Sequence, residues 1–303
     1  MEALPENDPI PPVRLYRINA GSCNGCDVEL ATTASVARFD VERWGCRYSE
    51  SPADADIVLI TGPLTVRVRD KVLRLYGEVS EPKVTVAVGV CPISGGVFRD
   101  SYAVVGPIDR YLPVDINVPG CPPHPRALGA GIAKAATLWR ERCGYTQPSP
   151  ELASPGNYDG DAVAPTGLRG KMRFNAAACV GCRMCEHVCA GGAIRFDETD
   201  TGLHFTLWHN SCAFCGLCSH YCPTKALSVT DEWQMSHLQE DKYRLVEQGV
   251  VSFVPCTDCG SILLPVAPEL LRVAYRETSR EIERLKTLCP ECRQKQSIGG
   301  IRR

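Results

Sequence analysis

The residue type whose pattern can do chemistry here is cysteine: 18 of the 303 residues are Cys. Eight of them fall in two runs, "CVGCRMCEHVCAGGAI" (179–194) and "CAFCGLCSHYCPTKAL" (212–227), which repeat at a constant offset of 33. Each run reads C-x2-C-x2-C-x3-C. Four thiolates hold an iron–sulfur cluster, and in paired runs of this spacing the fourth cysteine of each run serves the other cluster. The predicted ligand sets are therefore Cys179, Cys182, Cys185 and Cys222 for one [4Fe–4S] cluster, and Cys212, Cys215, Cys218 and Cys189 for a second.

Spacing of this kind is the signature of bacterial two-cluster ferredoxins. The second run keeps the usual proline, Pro223, whereas the first has Ala190, a change that removes no ligand. Two further knuckles follow, "VPCTDCGS" (254–261) and "LCPECRQ" (288–294). Cys256, Cys259, Cys289 and Cys292 read as a four-cysteine, zinc-ribbon-like site for one zinc ion. A rubredoxin-like iron is the alternative, because the same tetrahedral thiolates hold either metal.

One C-x-x-C pair stands alone, Cys23 and Cys26 in "AGSCNGCDVEL" (20–30), and its partners must come from the fold. Residues 13–143 alternate between strand and helix patterns. "VRLYRIN" (13–19), "DIVLITG" (56–62), "KVTVAVG" (83–89) and "PVDINVPG" (113–120) read as strands. "DVELATTASVARF" (27–39), "TVRVRDKVLRLYGEVS" (65–80) and "PRALGAGIAKAATLWRERC" (125–143) read as helices. Such alternation implies a doubly wound, flavodoxin-like parallel sheet, whose ligands bind at the carboxyl ends of the strands. Cys23 and Cys26 follow the first strand, Cys91 the "VTVAV" strand and Cys121 the "VDINV" strand, so one sheet edge gathers four cysteines for a third [4Fe–4S] cluster. Four-cysteine zinc is the alternative, although zinc sites use two knuckles where this set has one pair and two singles. The plainest alternative is four buried apolar cysteines. Cys46 and Cys143 have no partner cysteine and read as buried or inert, with little effect expected on substitution.

The remaining composition narrows the classes. Net charge is −2, and no basic stripe suggests nucleic acid. The longest apolar runs have strand length, far from a membrane span. The opening "MEALPENDPIPP" is acidic and Pro-rich, without the core of a signal peptide or a twin arginine, which points to a reducing cytoplasm. Residues 144–170 are rich in Pro, Gly, Ser and Asp and read as a linker. "TDEWQMSHLQEDKYRLVEQG" (230–249) reads as a solvated packing helix capped by Asp231. The predicted division is 1–143 for the α/β domain, 171–230 for a separable two-cluster domain and 231–303 for a helical segment bearing the four-cysteine site. Glu29 suits the first turn of a helix, with proton handling near Cys26 as the lesser reading. His124, His204, His209 and His220 read as surface or packing residues, and the basic tail "SIGGIRR" as disordered. No catalytic nucleophile–base pair or haem motif is found.

The segments "GSCNGCDVEL", "RFDVERWG", "LITGP", "VGVCPISGGVF" and "VVGPIDRYLPVDINVPGCPPHP" resemble the small subunit of [NiFe] hydrogenases and the related cluster-bearing subunit of respiratory complex I. Complex I homologues carry adjacent cysteines at the first position, whereas this chain has the separated pair Cys23 and Cys26. The resemblance is thus sharpest to membrane-bound group 4 [NiFe] hydrogenases of the formate hydrogenlyase type. Residues 171–303 resemble the separate ferredoxin-like subunit of the same complexes, so the chain looks like a fusion of two neighbours. The resemblance implies a proximal cluster on Cys23, Cys26, Cys91 and Cys121 beside a nickel–iron large subunit. It also implies integral membrane subunits, an electron donor such as formate dehydrogenase, CO dehydrogenase or ferredoxin, and a peripheral position on the inner face of the cell membrane. A complex I-like or nickel-free oxidoreductase is one alternative, and a free-standing ferredoxin or redox sensor is another. A large α/β half built to face a partner argues against the last.

Overall fold

The computed structural model describes residues 11–145, 169–266 and 279–301. Most of the expected linker therefore lies outside the described residues. The N-terminal half is built on β1 (Val13–Asn19), β2 (Cys46–Tyr48), β3 (Ile57–Thr61), β5 (Val84–Val88) and β7 (Ile116–Val118). These five strands run parallel in the order β7-β5-β3-β1-β2. Both β3 and β5 are buried at every residue. That is why they read as unbroken apolar runs: helices cover both faces of a parallel sheet.

Alternate residues of each strand face opposite layers. Leu15, Ile57, Leu59, Val84, Val86 and Ile116 pack under α1 (Gly25–Ser35) and α4 (Pro125–Arg142), with Leu30, Leu128 and Ile132 as helix contributions. Ile18, Val58, Ile60 and Ala87 pack against Val72 and Tyr76 of α2 (Arg69–Gly77) on the other face. Each fully buried aliphatic side chain contributes roughly 1.5–3 kcal/mol, enough to make this sheet a rigid base. The first helix is shorter than its pattern suggests, giving way to a 3-10 turn at Ala37–Phe39. The expected helix over 65–80 begins only at Arg69, because β4 (Leu64–Thr65) pairs instead with β6 (Val104–Gly106).

In the C-terminal half, β8 (Met172–Phe174) pairs with β11 (Leu227–Val229), and β9 (Ile194–Thr199) with β10 (Gly202–Trp208). Two short helices, α5 (Met184–His187) and α6 (Leu217–Tyr221), pack on each other between them. The expected helix over 230–249 is not present. The segment instead holds short strands and a 3-10 turn at Gln239–Asp241: β12 (His237–Leu238) adds antiparallel to β7 of the first sheet, and β13 (Val246–Ser252) pairs along all of β10. Its polar residues offer no apolar stripe to bury as a helix, whereas β7 and β10 each offer an open ladder of backbone groups. A hairpin of β14 (Val254–Pro255) and β15 (Ile262–Leu263) leads to the end of the chain, where α7 (Arg280–Lys286) and α8 (Pro290–Ile301) follow. The tail expected to be disordered continues α8 as far as Ile301.

The two halves share buried polar contacts. Lys242, 2% exposed, pairs with Asp109, and Gln239 bridges Asp109 and Asn117 at 2.8 Å each. Arg99 donates to the carbonyls of Gly191 and Gly192 at 3.1 and 3.0 Å.

Cys46 is 1% exposed and belongs to the main core, and burial pushes its thiol up to about 12. Replacement by Ser buries a hydroxyl in its place, at about 1–3 kcal/mol, so Cys46 is not silent as its isolation suggests. Cys46→Ser is expected to lower the thermal midpoint by several degrees while leaving iron content at the wild-type value. Cys143→Ser, at a half-buried position, is expected to move neither.

Candidate iron–sulfur centres

The carboxyl ends of β1, β5 and β7 converge, and each delivers cysteine. After β1 the chain turns through Gly21 and Ser22, whose N–H groups both donate to Asn19 Oδ1, at 2.9 and 2.8 Å. Asn24 then takes a left-handed conformation, φ 71°, to start α1, placing Cys23 just before it and Cys26 in its first turn. Asp27 is fixed by Arg17 at 2.6 Å and Thr61 at 2.8 Å. Burial works against its charge, but hydrogen bonds from Ser22, Thr61 and Arg17 outweigh this and hold its carboxyl below the usual range. Cys91 lies in α3 (Val90–Ser94) after β5, and Cys121 follows β7.

Gly89 decides how closely these loops approach. Its φ is 85°, and a Cβ there would stand 2.6 Å from Cys26 Sγ. Only glycine both adopts that backbone and leaves room for the sulfur.

Burial raises the thiols of Cys26, Cys91 and Cys121, and neighbouring cysteine charges raise them further: Cys91 and Cys121 act on Cys26, and Cys23 acts on all three. Cys91 is pushed up to about 12. Burial and mutual repulsion thus disfavour the thiolate forms of Cys26, Cys91 and Cys121, and positive charge among them, such as an iron core supplies, reverses this. Cys23 and Cys121 are exposed, Cys26 and Cys91 buried, so the site opens at one edge.

In the C-terminal half each of the two expected sets of four cysteines lines a cavity of its own. One small apolar cavity is lined by Cys179, Cys182, Cys185 and Cys222, with Phe174, Phe196 and Leu227. Another is lined by Cys189, Cys212, Cys215 and Cys218, with Met172, Ile194 and Leu207. Backbone N–H groups reach the sulfurs: Gly181 to Cys179 at 3.4 Å, Ala193 to Cys189 at 3.2 Å, Phe214 to Cys212 at 3.3 Å and Ala226 to Cys222 at 3.2 Å. Such bonds stabilise negative sulfur and tune a cluster's potential. Cys222, with the Thr224 hydroxyl also at 3.7 Å, sits below the ordinary thiol value: burial opposes this, but the Thr224 contacts and the N–H groups of Ala226 and Leu227 prevail.

The last quartet differs in kind. The sulfurs of Cys256, Cys259, Cys289 and Cys292 all lie within 4.8 Å of one another, the one such group among the described residues. Cys259 and Cys289 are 3.7 Å apart. Four sulfurs at 2.3 Å from one ion stand about 3.8 Å apart at the edges of the tetrahedron. The 3.7 Å separation of Cys259 and Cys289 matches the edge of such a tetrahedron. N–H groups of Cys289 and Cys292 point at Cys256 and Cys289 sulfur at 3.2 and 3.3 Å.

Cys121 lines a cavity together with Ala213 and Phe214, and α5 and α6, which carry Cys185 and Cys218, pack on each other. A cavity of about 340 Å³ opens beside Cys121, where Glu29, His124, Arg169, Phe214, Trp233 and Met235 meet. Glu29 is raised and His124 lowered by burial there. His124 also caps α4, accepting from Arg126 N–H at 3.2 Å; buried His209 accepts from Met172 N–H at 3.2 Å. Arg99 carries no signal in the sequence, since its partners lie 92 and 93 residues away and have no motif of their own.

This combination, an α/β sheet edge with four cysteines joined to paired four-cysteine cavities, defines an iron–sulfur electron-transfer protein. Residues 23–135 match the family model for the NADH ubiquinone oxidoreductase 20 Kd subunit, and residues 178–226 that for the 4Fe-4S dicluster domain. The probable membrane-bound hydrogenase subunit mbhJ of Pyrococcus furiosus is 44% identical over 121 residues, 40% of this chain and 72% of that protein. Formate hydrogenlyase subunit 7 of Escherichia coli is 39% identical over 170 residues, 56% of this chain and 66% of that protein. An NADH-quinone oxidoreductase subunit of Rubrobacter xylanophilus is 41% identical over 130 residues, 42% of this chain and 51% of that one. Among solved structures, a chain of the membrane-bound sulfane sulfur reductase, an archaeal respiratory membrane complex, is 32% identical with a TM-score of 0.38, covering 43% of this chain and 72% of that one. The chain belongs to the family of the 20 Kd subunit and its hydrogenase relatives, with a 4Fe-4S dicluster domain joined behind it. No described helix is long and apolar enough to cross a membrane.

Gly89→Ala is expected to displace Cys26 and to remove about four of about twelve irons, with the two C-terminal cavities still loaded. Iron analysis with electron paramagnetic resonance checks this; full iron content in the variant would show that Cys26 has room to retreat.

Proposed function

We propose that this chain is the electron-transfer subunit of a membrane-associated [NiFe] hydrogenase, wiring an electron donor to a separate nickel–iron large subunit where two protons and two electrons interconvert with H2. The observation that carries this is the gathering of Cys23, Cys26, Cys91 and Cys121 at an open sheet edge, where Cys121 shares a cavity with Ala213 and Phe214 of the two-cluster part. Relatives named as hydrogenase and formate hydrogenlyase subunits support the assignment.

Cys23, Cys26, Cys91 and Cys121 would hold the proximal [4Fe–4S] cluster. Cys189, Cys212, Cys215 and Cys218 would hold the middle one, and Cys179, Cys182, Cys185 and Cys222 the distal one. Bound clusters supply one-electron chemistry; the chain supplies position, burial and hydrogen bonds. The packing of α5, with Cys185, on α6, with Cys218, and the shared cavity of Cys121 with Ala213 and Phe214 favour an order of distal, middle, proximal. The exposed edge at Cys23 and Cys121 suits the large subunit. Cys256, Cys259, Cys289 and Cys292 would hold one zinc ion, with rubredoxin-like iron as the alternative occupant. A zinc-ribbon-like fold for that site is supported by its paired knuckles, and a flavodoxin-like class for the first domain by the order β7-β5-β3-β1-β2. We keep the division at the 144–170 linker and group residues 231–252 with the two-cluster part, since β13 is the third strand of its sheet. The complex would sit at the inner membrane face through integral membrane subunits, with formate dehydrogenase, CO dehydrogenase or ferredoxin as donor classes.

A complex I-like or nickel-free oxidoreductase is the second reading, favoured by the likeness to an NADH-quinone oxidoreductase subunit. Two C-x-x-C pairs in the large subunit, one near each end, distinguish a nickel enzyme from it.

Three clusters and one single-ion site set the expected stoichiometry: about 12 iron, about 12 sulfide and about one zinc per anaerobically purified chain. Cys91→Ser and Cys121→Ser are expected to lower iron to about 8 and abolish H2 turnover of the whole complex. About 8 iron in the wild type would remove the proximal site, and about 13 with no zinc would put iron in the knuckles. Nickel bound to the lone chain, or H2 evolved by it from reduced viologen, would overturn its role as wiring.

A further inference from the structure

The β14–β15 hairpin touches two metal-binding regions at once. Leu263 packs with Leu285 on the small core that holds Cys256, Cys289 and Cys292. Leu264, the next residue, packs instead on the core of the two-cluster domain. Consecutive residues of an extended chain point to opposite sides, so a hairpin anchored on the knuckles by Leu263 must present Leu264 outward.

What Leu264 covers is specific. Gly181 lies between Cys179 and Cys182 and donates its N–H to Cys179 sulfur at 3.4 Å. A Cβ on Gly181 would meet Leu264 methyls at 2.9 and 3.0 Å and Leu203 at 2.7 Å. Leu264 therefore lies directly on the loop that carries the distal ligands. The hairpin itself is fixed by the knuckles: Cys256 N–H donates to Ser261 O at 2.8 Å, and Thr257 N–H to Thr287 O at 3.1 Å. Cys259 is exposed on the far side, with Ser261 Oγ at 3.0 Å.

We propose that the C-terminal four-cysteine knuckle is a cover for the distal cluster: its bound ion fixes the β14–β15 hairpin, and the hairpin seats Leu264 over Gly181 to keep water from Cys179. This rests on the ligand sets given above. Leu264 is a positioning residue that acts through the Gly181 loop. A cluster's reduced form carries the greater negative charge, and water stabilises it more than an apolar cover does. Covering the site therefore holds its potential low, and solvent exposure is among the recognised determinants of cluster potential. Removing the cover is expected to raise it.

The test uses the full-length chain, loaded anaerobically, with four variants. Redox titration followed by electron paramagnetic resonance reads each cluster separately, and Cys182→Ser identifies the distal signal. Leu264→Ala, with full iron and zinc, is expected to raise the distal potential, leave the other two unmoved and speed loss of the distal cluster in air several-fold. Leu264→Met is expected to restore wild-type behaviour. Cys292→Ser, stripped of its ion, is expected to shift the same cluster in the same direction. An unmoved distal potential in Leu264→Ala overturns the cover, as does a shift shared by all three clusters. Loss of the ion in Cys292→Ser without any change at the distal cluster overturns the coupling. If the wild-type chain binds no single ion at the knuckles, the ion assignment fails on its own, and Leu264→Ala still decides whether the hairpin shields the cluster.

Discussion

Thiolates brought together away from water repel one another, and this repulsion sets the terms for the molecule. Burial alone already raises the thiols of Cys26, Cys91, Cys185 and Cys212, and each neighbouring cysteine raises them further. Such groups cannot assemble themselves; the backbone must hold them close before any positive charge arrives. The parallel sheet does this in the first half, through buried β3 and β5 and the glycine at residue 89. In the second half, the β8–β11 and β9–β10 strand pairs and N–H groups aimed at sulfur do the same. A rigid scaffold is thus the condition for the chemistry.

The four quartets answer that condition differently. The C-terminal four sulfurs lie within 4.8 Å of one another, the one such group among the described residues. Distance between sulfurs separates a cube of iron from a lone tetrahedral ion more firmly than ligand type does, since all four sites offer only cysteine. The family match spans residues 23–135, which include Cys23, Cys26, Cys91 and Cys121.

Much of this is legible in the sequence because cysteine spacing is strict. The crossed sets with Cys222 and Cys189 as exchanged fourth members follow from the offset repeat and reappear in the two cavities. Cys91 and Cys121 can be joined to Cys23 only through the rule that ligands gather at strand ends, which works because β1, β5 and β7 are strongly patterned. Residues 230–249 mislead: a polar, capped segment resembles a surface helix, and nothing local shows that β7 and β10 lack partners. Arg99 and Leu264 are invisible for the same reason. Their meaning lies in what they touch, and those contacts span long stretches of chain. Cys46 reads from its isolation as buried or inert, and it is buried, with a packing role in the core.

The short strand β12 has a consequence for how such a protein is made. It closes the outer side of β7 by antiparallel pairing at His237–Asn117 and Leu238–Ile116. Were the two halves separate polypeptides, the same pairing would be strand addition between molecules. Until the partner arrived, the N-terminal product would carry a bare sheet edge, a known template for aggregation. Carrying both halves on one polypeptide fixes their ratio at synthesis and brings the closing strand at high local concentration. Translation order still matters, because β7 emerges from the ribosome more than a hundred residues before β12; during that interval the nascent sheet is the part most in need of a chaperone.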